Sequence, residues 1–288
     1  MKFLIAAFLS AVSATAEMSP LAQRMIKRYQ TEGPAAFNKN PNPNPPGGGV
    51  SPPPHLNSSK CEAMPIYGSF GPPYFVSDDV DNDTPGIQTT DGALCYDFRG
   101  LHIITAAMDY NMISPYTTCN SEVFVSSSVL ETFIAPVDDL NDDPQWYYEL
   151  DVSPSGAMWG GLSNNTLGNS SKCIASDGVC VEGLLSCSGL NEFEHGMIPV
   201  VQNLSHSDTP DEVFGWMLDL TIPWEFFAEE YRPKLVDGEL VYHDKWRANF
   251  YRYDYFNNNT FDFELTAWSP THDPSFHIPS KFGLVNLI

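Results

Sequence analysis

The feature that most narrows what this chain can fold into is a two-residue periodicity, carried in short runs of aromatic and β-branched residues. In 146–152, Trp146, Tyr148, Leu150 and Val152 fall on one side, and Tyr147, Glu149 and Asp151 on the other. In 246–252, Trp246, Ala248, Phe250 and Arg252 alternate with Arg247, Asn249 and Tyr251. A period of two is that of a pleated strand, not of a helix. Similar runs stand at 101–107, 129–134 and 216–222, and Pro154-Ser-Gly and Asp237-Gly mark turns. One short helix is expected at 224–231, with Pro223 at its start and Pro233 closing it. No βαβ alternation is present. The expected fold is all-β: an antiparallel β-sandwich with one short helix and disulfide-stapled loops.

The pattern begins late in the chain. Residues 1–16 read as a secretory signal peptide: Lys2, an apolar run from Phe3 to Val12, then Ala14-Thr15-Ala16 for cleavage. That run is about half the roughly 20 residues needed to span a bilayer, and no later segment is long and apolar enough. Residues 17–60 read as a leader and a Pro/Gly-rich linker, with an amphipathic stretch at 20–29 and the tract Asn40-Pro-Asn-Pro-Asn-Pro-Pro-Gly-Gly-Gly. The sandwich domain is expected over 61–288.

A secreted, extracellular chain meets an oxidising environment, so Cys61, Cys95, Cys119, Cys173, Cys180 and Cys187 are expected in disulfides. Six cysteines allow 15 pairings, and the trio 173, 180 and 187 reads as staples of a surface insertion. Zinc is the competing reading, but no C-x-x-C pair supports it. Sequons at Asn57, Asn82, Asn164, Asn169, Asn203 and Asn258 are expected glycan acceptors. With 36 acidic against 14 basic side chains the formal net charge is −22. A chain so acidic repels phosphates, which argues against nucleic acid and anionic lipid as partners. No cofactor is required by any motif. The acidic clusters at 78–83 and 138–143 offer oxygens suited to calcium, although the first departs from the EF-hand pattern at Thr84 and Thr90.

Two strands therefore place charged and amide groups beside aromatic rings. Sugars suit such a surface: their C–H faces pack on rings, and their hydroxyls take bonds from carboxylate, amide and guanidinium. Glu131 shares its side of a strand with Val129 and Phe133, so it needs a partner, for which Arg247 or Arg252 is the expected candidate.

The motifs Trp246-Arg-Ala-Asn-Phe-Tyr-Arg, Ala267-Trp-Ser-Pro-Thr, Phe276-His-Ile-Pro and Phe282-Gly, together with Ser128-Val-Leu-Glu-Thr-Phe-Ile, 147–157 and Ile222-Pro-Trp, resemble secreted proteins related to the family 9 carbohydrate-binding modules. The resemblance runs from about Leu101 to Gly283 and implies a β-sandwich that binds sugar without catalysis. The family grips a terminal sugar between two tryptophans, and many members hold structural calcium. Glu131 matches the family's acidic strand position, and Glu149 and Asp151 stand where a polar pair follows. Val125 occupies the place of one tryptophan, with Phe124 beside it, so Trp246, Trp268 or Trp159 are the candidates for walls.

The expected function is non-catalytic binding of carbohydrate or polysaccharide, in the context of its breakdown. The expected contact residues are Glu131, Glu149, Asp151, Trp246, Arg247, Asn249 and Trp268. Two other classes fit the residues: a glycoside hydrolase acting through Glu131 and Glu149, and a cell-wall or matrix protein that binds other proteins.

Overall fold

The computed structural model describes residues 18–36, 53–61, 76–77, 86–164, 180–184, 186–189, 192–193, 196–257, 262–273 and 275–288. The signal peptide, most of the linker, the 78–83 cluster, Cys173, the side chain of Cys180 and the sequons at Asn82, Asn169 and Asn258 lie outside these residues.

One α-helix, α1 (Pro20–Glu32), precedes the strands β1 (His55–Ser58), β2 (Val76–Ser77), β3 (Thr90–Tyr96), β4 (Gly100–Met108) and β5 (Val129–Pro136). Then come β6 (Trp146–Val152), β7 (Met158–Asn164), β8 (Cys180–Leu184), β9 (Cys187–Gly189), β10 (Glu192–Phe193), β11 (Ile198–His206) and β12 (Thr209–Pro223). The last are β13 (Lys234–Val236), β14 (Glu239–Val241), β15 (Lys245–Tyr255), β16 (Phe263–Ala267) and β17 (Gly283–Leu287). The larger sheet runs β1-β17-β15-β5-β6-β7-β8, and the smaller β11-β12-β4-β3. The pairings are antiparallel except β1 on β17.

The two sheets pack face to face, as alternation requires. The larger sheet contributes Leu130, Ile134, Leu150, Val152, Trp246, Ala248 and Phe250 to the shared core, and the smaller contributes Leu94, Ile103, Trp216, Leu218 and Leu220. Burying a large apolar side chain stabilises by about 1.5–3 kcal/mol, so this layer supplies most of the driving force. Gly283 is required by the packing: a Cβ there would fall 2.1 Å from the Trp268 ring.

The helix α1 covers the other side of the smaller sheet. Its apolar stripe of Leu21, Ala22, Met25, Ile26 and Tyr29 packs on Ala93, Ile104, Ala106 and Met217. Ser19 caps it, accepting from the Ala22 N–H, while the Ser19 N–H donates to buried Asp219. The amphipathic stretch expected at 20–29 is thus a helix, and it belongs to the folded body, as does β1. Both lie ahead of the Cys61 boundary expected from the sequence.

The helix expected at 224–231 is instead two 3-10 turns, Trp224–Phe226 and Glu229–Tyr231, with extended backbone at Phe227 and Ala228. Trp224, Phe226 and Phe227 are all buried, and a regular helix cannot aim three such close residues inward. Disulfides join Cys61 to Cys95 and Cys119 to Cys187. Of the described sequons, Asn57 and Asn203 are exposed, whereas Asn164 is buried within β7, which removes it as a ready glycan acceptor.

Candidate functional site

The outward side of the larger sheet carries the polar groups, and the strand registers bring three carboxyls together. Glu131 on β5 lies directly opposite Asp151 on β6, and Glu149 stands two residues before Asp151 on the same side. Trp159 on β7 is opposite Asp151, and Ser163 lies farther along β7 on the same side. From β15, Tyr251 is opposite Glu131 and Tyr253 is opposite Val129.

Two connections fold over this side. β16 and β17 both flank β15, each pairing with a different half of it, so the chain between them must leave the sheet. That crossing lays Phe276, His277 and Phe282 against Phe133, Tyr147 and Tyr251. The connection before β5 brings Tyr116, Val123 and Phe124 onto Trp159, with Phe124 meeting the indole edge-on at 5.8 Å. It is tied down at both ends. The Tyr255 hydroxyl lies within bonding distance of the Phe124 and Val125 carbonyls at 3.1 and 2.9 Å, and Cys119 is bonded to Cys187.

The carboxyls are consequently recessed. Glu131 is 4% exposed, Glu149 6%, Trp159 7% and Asp151 0%. Ser163 donates to Glu149 at 3.4 Å, and His277 Nδ1 stands 3.9 Å from the same carboxyl and 2.7 Å from the Tyr147 hydroxyl. Burial, reinforced by Glu149, pushes the Glu131 carboxyl well above the carboxylate range. Burial, then Glu131 and Glu149, does the same to Asp151. A protonated member of the Glu149–Asp151 pair can donate to the other. With both ionised, neither Asp151 oxygen has a donor among the described residues. Burial first, and then all three carboxyls, raises the Tyr253 phenol, which keeps it a neutral donor beside them.

The remaining sequence-predicted contacts go elsewhere. Trp246 and Trp268 are buried in the core between the sheets, so neither indole can wall a sugar site on the outer side. Trp246 meets Trp224 and Phe227, and Trp268 meets Phe250. Arg247 does face outward but is consumed by backbone. It donates to the carbonyls of Phe282, Leu140, Asp142, Pro279 and Ser280 at 3.0–3.2 Å. Asn249 is likewise committed, to Ser269 and Tyr251. Arg252 lies on the inner side, where it bridges the sheets to Met108 and Thr90 and pairs with Asp254 at 3.0 Å. Neither arginine is the partner expected for Glu131.

Tyr253 and Ser163 join the site without having been singled out in the sequence. Simple extension of the β15 alternation from Tyr251 would have found Tyr253. Among the described residues, no group of three or more His, Cys, Asp or Glu side chains is arranged to hold a metal ion. The 138–143 loop has its Leu140, Asp142 and Asp138 carbonyls bonded to Arg247 and Lys245.

No family model matches the chain. An extracellular protein of Arthroderma benhamiae is 26% identical over 208 residues, covering 70% of this chain and 80% of that protein. Among solved structures, a provisionally named carbohydrate-binding protein from Bacteroides uniformis aligns over 84% of this chain and 100% of its own, with a TM-score of 0.49 and 16% identity. A family 9 carbohydrate-binding module from Caldicellulosiruptor kristjanssonii, solved with cellotriose, aligns over 81% of this chain and 93% of its own, with a TM-score of 0.43 and 11% identity. No helix among the described residues is long and apolar enough to cross a membrane.

Proposed function

We propose that this is a secreted protein that binds carbohydrate without cleaving it, with the sugar seated on the outer side of the larger sheet. One observation carries the reading. Hydrogen-bonding carboxyls at Glu131, Glu149 and Asp151 converge beside the indole of Trp159 under two aromatic-bearing connections. Carboxyls, the Ser163 hydroxyl and the Tyr253 phenol suit the edge of a pyranose, and aromatic rings suit its face. The low exposure of the carboxyls fits a ligand taken end-on through a narrow mouth rather than one laid across an open platform. Secretion is supported by the leading apolar segment and by the extracellular relative.

Glycan-array screening followed by calorimetry tests this. Binding that falls at least tenfold in Trp159→Ala and in Glu131→Gln, with unfolding temperature retained in the latter, is the expected result. A blank array overturns the proposal. Release of reducing ends from a polysaccharide, lost in Glu131→Gln, would replace it with hydrolysis.

A further inference from the structure

Asp151 is the least satisfied charged group of the outer side. It is fully buried, both its oxygens lack a donor among the described residues when ionised, and its cross-strand neighbours are Glu131 on one side and Trp159 on the other. An ionised carboxylate removed from water costs several kcal/mol unless it is paired. The described residues supply no such partner, because Arg247 is spent on carbonyls and Arg252 lies on the inner side. A proton shared with Glu149 relieves that cost in the free protein, and a bound cation relieves it with the carboxyls ionised. Of the cations that could supply this, the surroundings suit an organic one. The aromatic groups agree. Trp159, Phe124, Tyr116 and Tyr253 cluster beside the carboxyls, and ring faces attract ammonium groups.

We propose, on the reading that the site takes a sugar, that its ligand is an amino sugar with a free protonated amine, as in deacetylated chitin-type chains. The ammonium sits against Asp151 and Glu131, and the pyranose ring lies along Trp159. Protons and ammonium then compete for the same carboxyls. The groups facing that position are Glu131 from β5, Glu149 and Asp151 from β6, Ser163 from β7, Tyr253 from β15, and His277 from the crossing connection. Acidification protonates the carboxyls, which opposes the ammonium.

Calorimetry on the full secreted chain uses three β-1,4-linked tetramers that differ only at carbon 2: glucosamine, N-acetylglucosamine and cellotetraose. A charge-assisted bond predicts affinity about tenfold or more higher for the glucosamine tetramer. That margin shrinks with added salt and with acidification from neutral pH. Spermine, an amine without a ring, measures the diffuse pull of an acidic chain. Equal affinity for spermine, or for either neutral tetramer, overturns the inference. In the latter case carbohydrate binding stands. Silence with all three tetramers also overturns it, and the glycan array then decides the parent reading separately. Asp151→Asn keeps the shape and relieves crowding among like charges, so it should fold with an unchanged or higher unfolding temperature while losing the amine preference. Retention of that preference in both Asp151→Asn and Glu131→Gln counts against the proposal.

Discussion

Replacing Arg247 by lysine tests how the outer side is held together. The guanidinium donates from Nε to Phe282 O at 3.0 Å, from Nη1 to Leu140 O and Asp142 O at 3.1 Å each, and from Nη2 to Pro279 O at 3.1 Å and Ser280 O at 3.2 Å. These acceptors lie in two separate segments, and a planar fork reaches both at once. An ammonium has three donors at a single point. At least two carbonyls therefore lose their partner, and the bonds to Phe282 and Pro279 are buried. An orphaned buried acceptor costs about 1–3 kcal/mol, so with two of them Arg247→Lys should destabilise by about 2–6 kcal/mol. At about 2–3 °C per kcal/mol in a chain of this size, that corresponds to a fall in Tm of roughly 4–18 °C. Urea unfolding and scanning calorimetry measure it. Because Pro279 and Phe282 anchor the connection that carries His277, sugar affinity should weaken as well. A loss of stability below about 1 kcal/mol would refute the claim that one guanidinium fastens this layer.

Stability should fall as pH rises from about 4 to 8. Burial, aided by Asp109 and Glu264 and opposed by Arg252, pushes the Asp254 carboxyl up to about 7. A raised acid binds its proton more tightly when folded, so the folded state is favoured below the unfolded value and penalised as pH passes about 7. Burial acts in the same direction on Glu131, Asp151, Asp91 and Glu264. Urea unfolding across that range measures the slope, and a rise in stability toward pH 8 would contradict the linkage. Replacing Cys119 and Cys187 together by serine opens a link across 68 positions, which costs about 4 kcal/mol by loop closure and should loosen Phe124 over Trp159. Thermal melts and sugar titration read the two effects, and unchanged values in both would deny the staple its role. Trp246→Ala and Trp268→Ala should each lower stability by about 3–5 kcal/mol, because both rings are core. Soluble variants with intact melts and selectively lost binding would return these indoles to the ligand surface.

Much of the scaffold was legible because strands advertise themselves locally. The run 146–152 coincides with β6, and 101–107, 129–134, 216–222 and 246–252 all fall within observed strands. The same alternation already set Trp246 on the side opposite Arg247, but it does not tell which side meets the second sheet, which is why Trp246 was expected at the ligand surface. Other features depend on contacts distant in sequence. Nothing near Glu131 reveals that the 276–282 stretch lies against its side of the sheet, because that follows from β16 and β17 sharing one neighbour. Arg247 looks like a carboxylate's counterion in any local reading, yet its partners are carbonyls from 32 to 107 positions away. The helix at 20–29 was visible as an amphipathic stripe, but not the sheet face that receives it.

The placement of α1 has a practical side. It sits on the smaller sheet, with Ser19 held at Asp219, while the carboxyl trio lies on the outer side of the larger sheet, on the reverse of the sandwich. Anything joined ahead of Met18, whether a purification handle, a bead or a biosensor chip, is therefore attached on the back of the molecule. Immobilised that way, the chain turns the outer side of its larger sheet, where the proposed sugar site lies, toward the flowing sample.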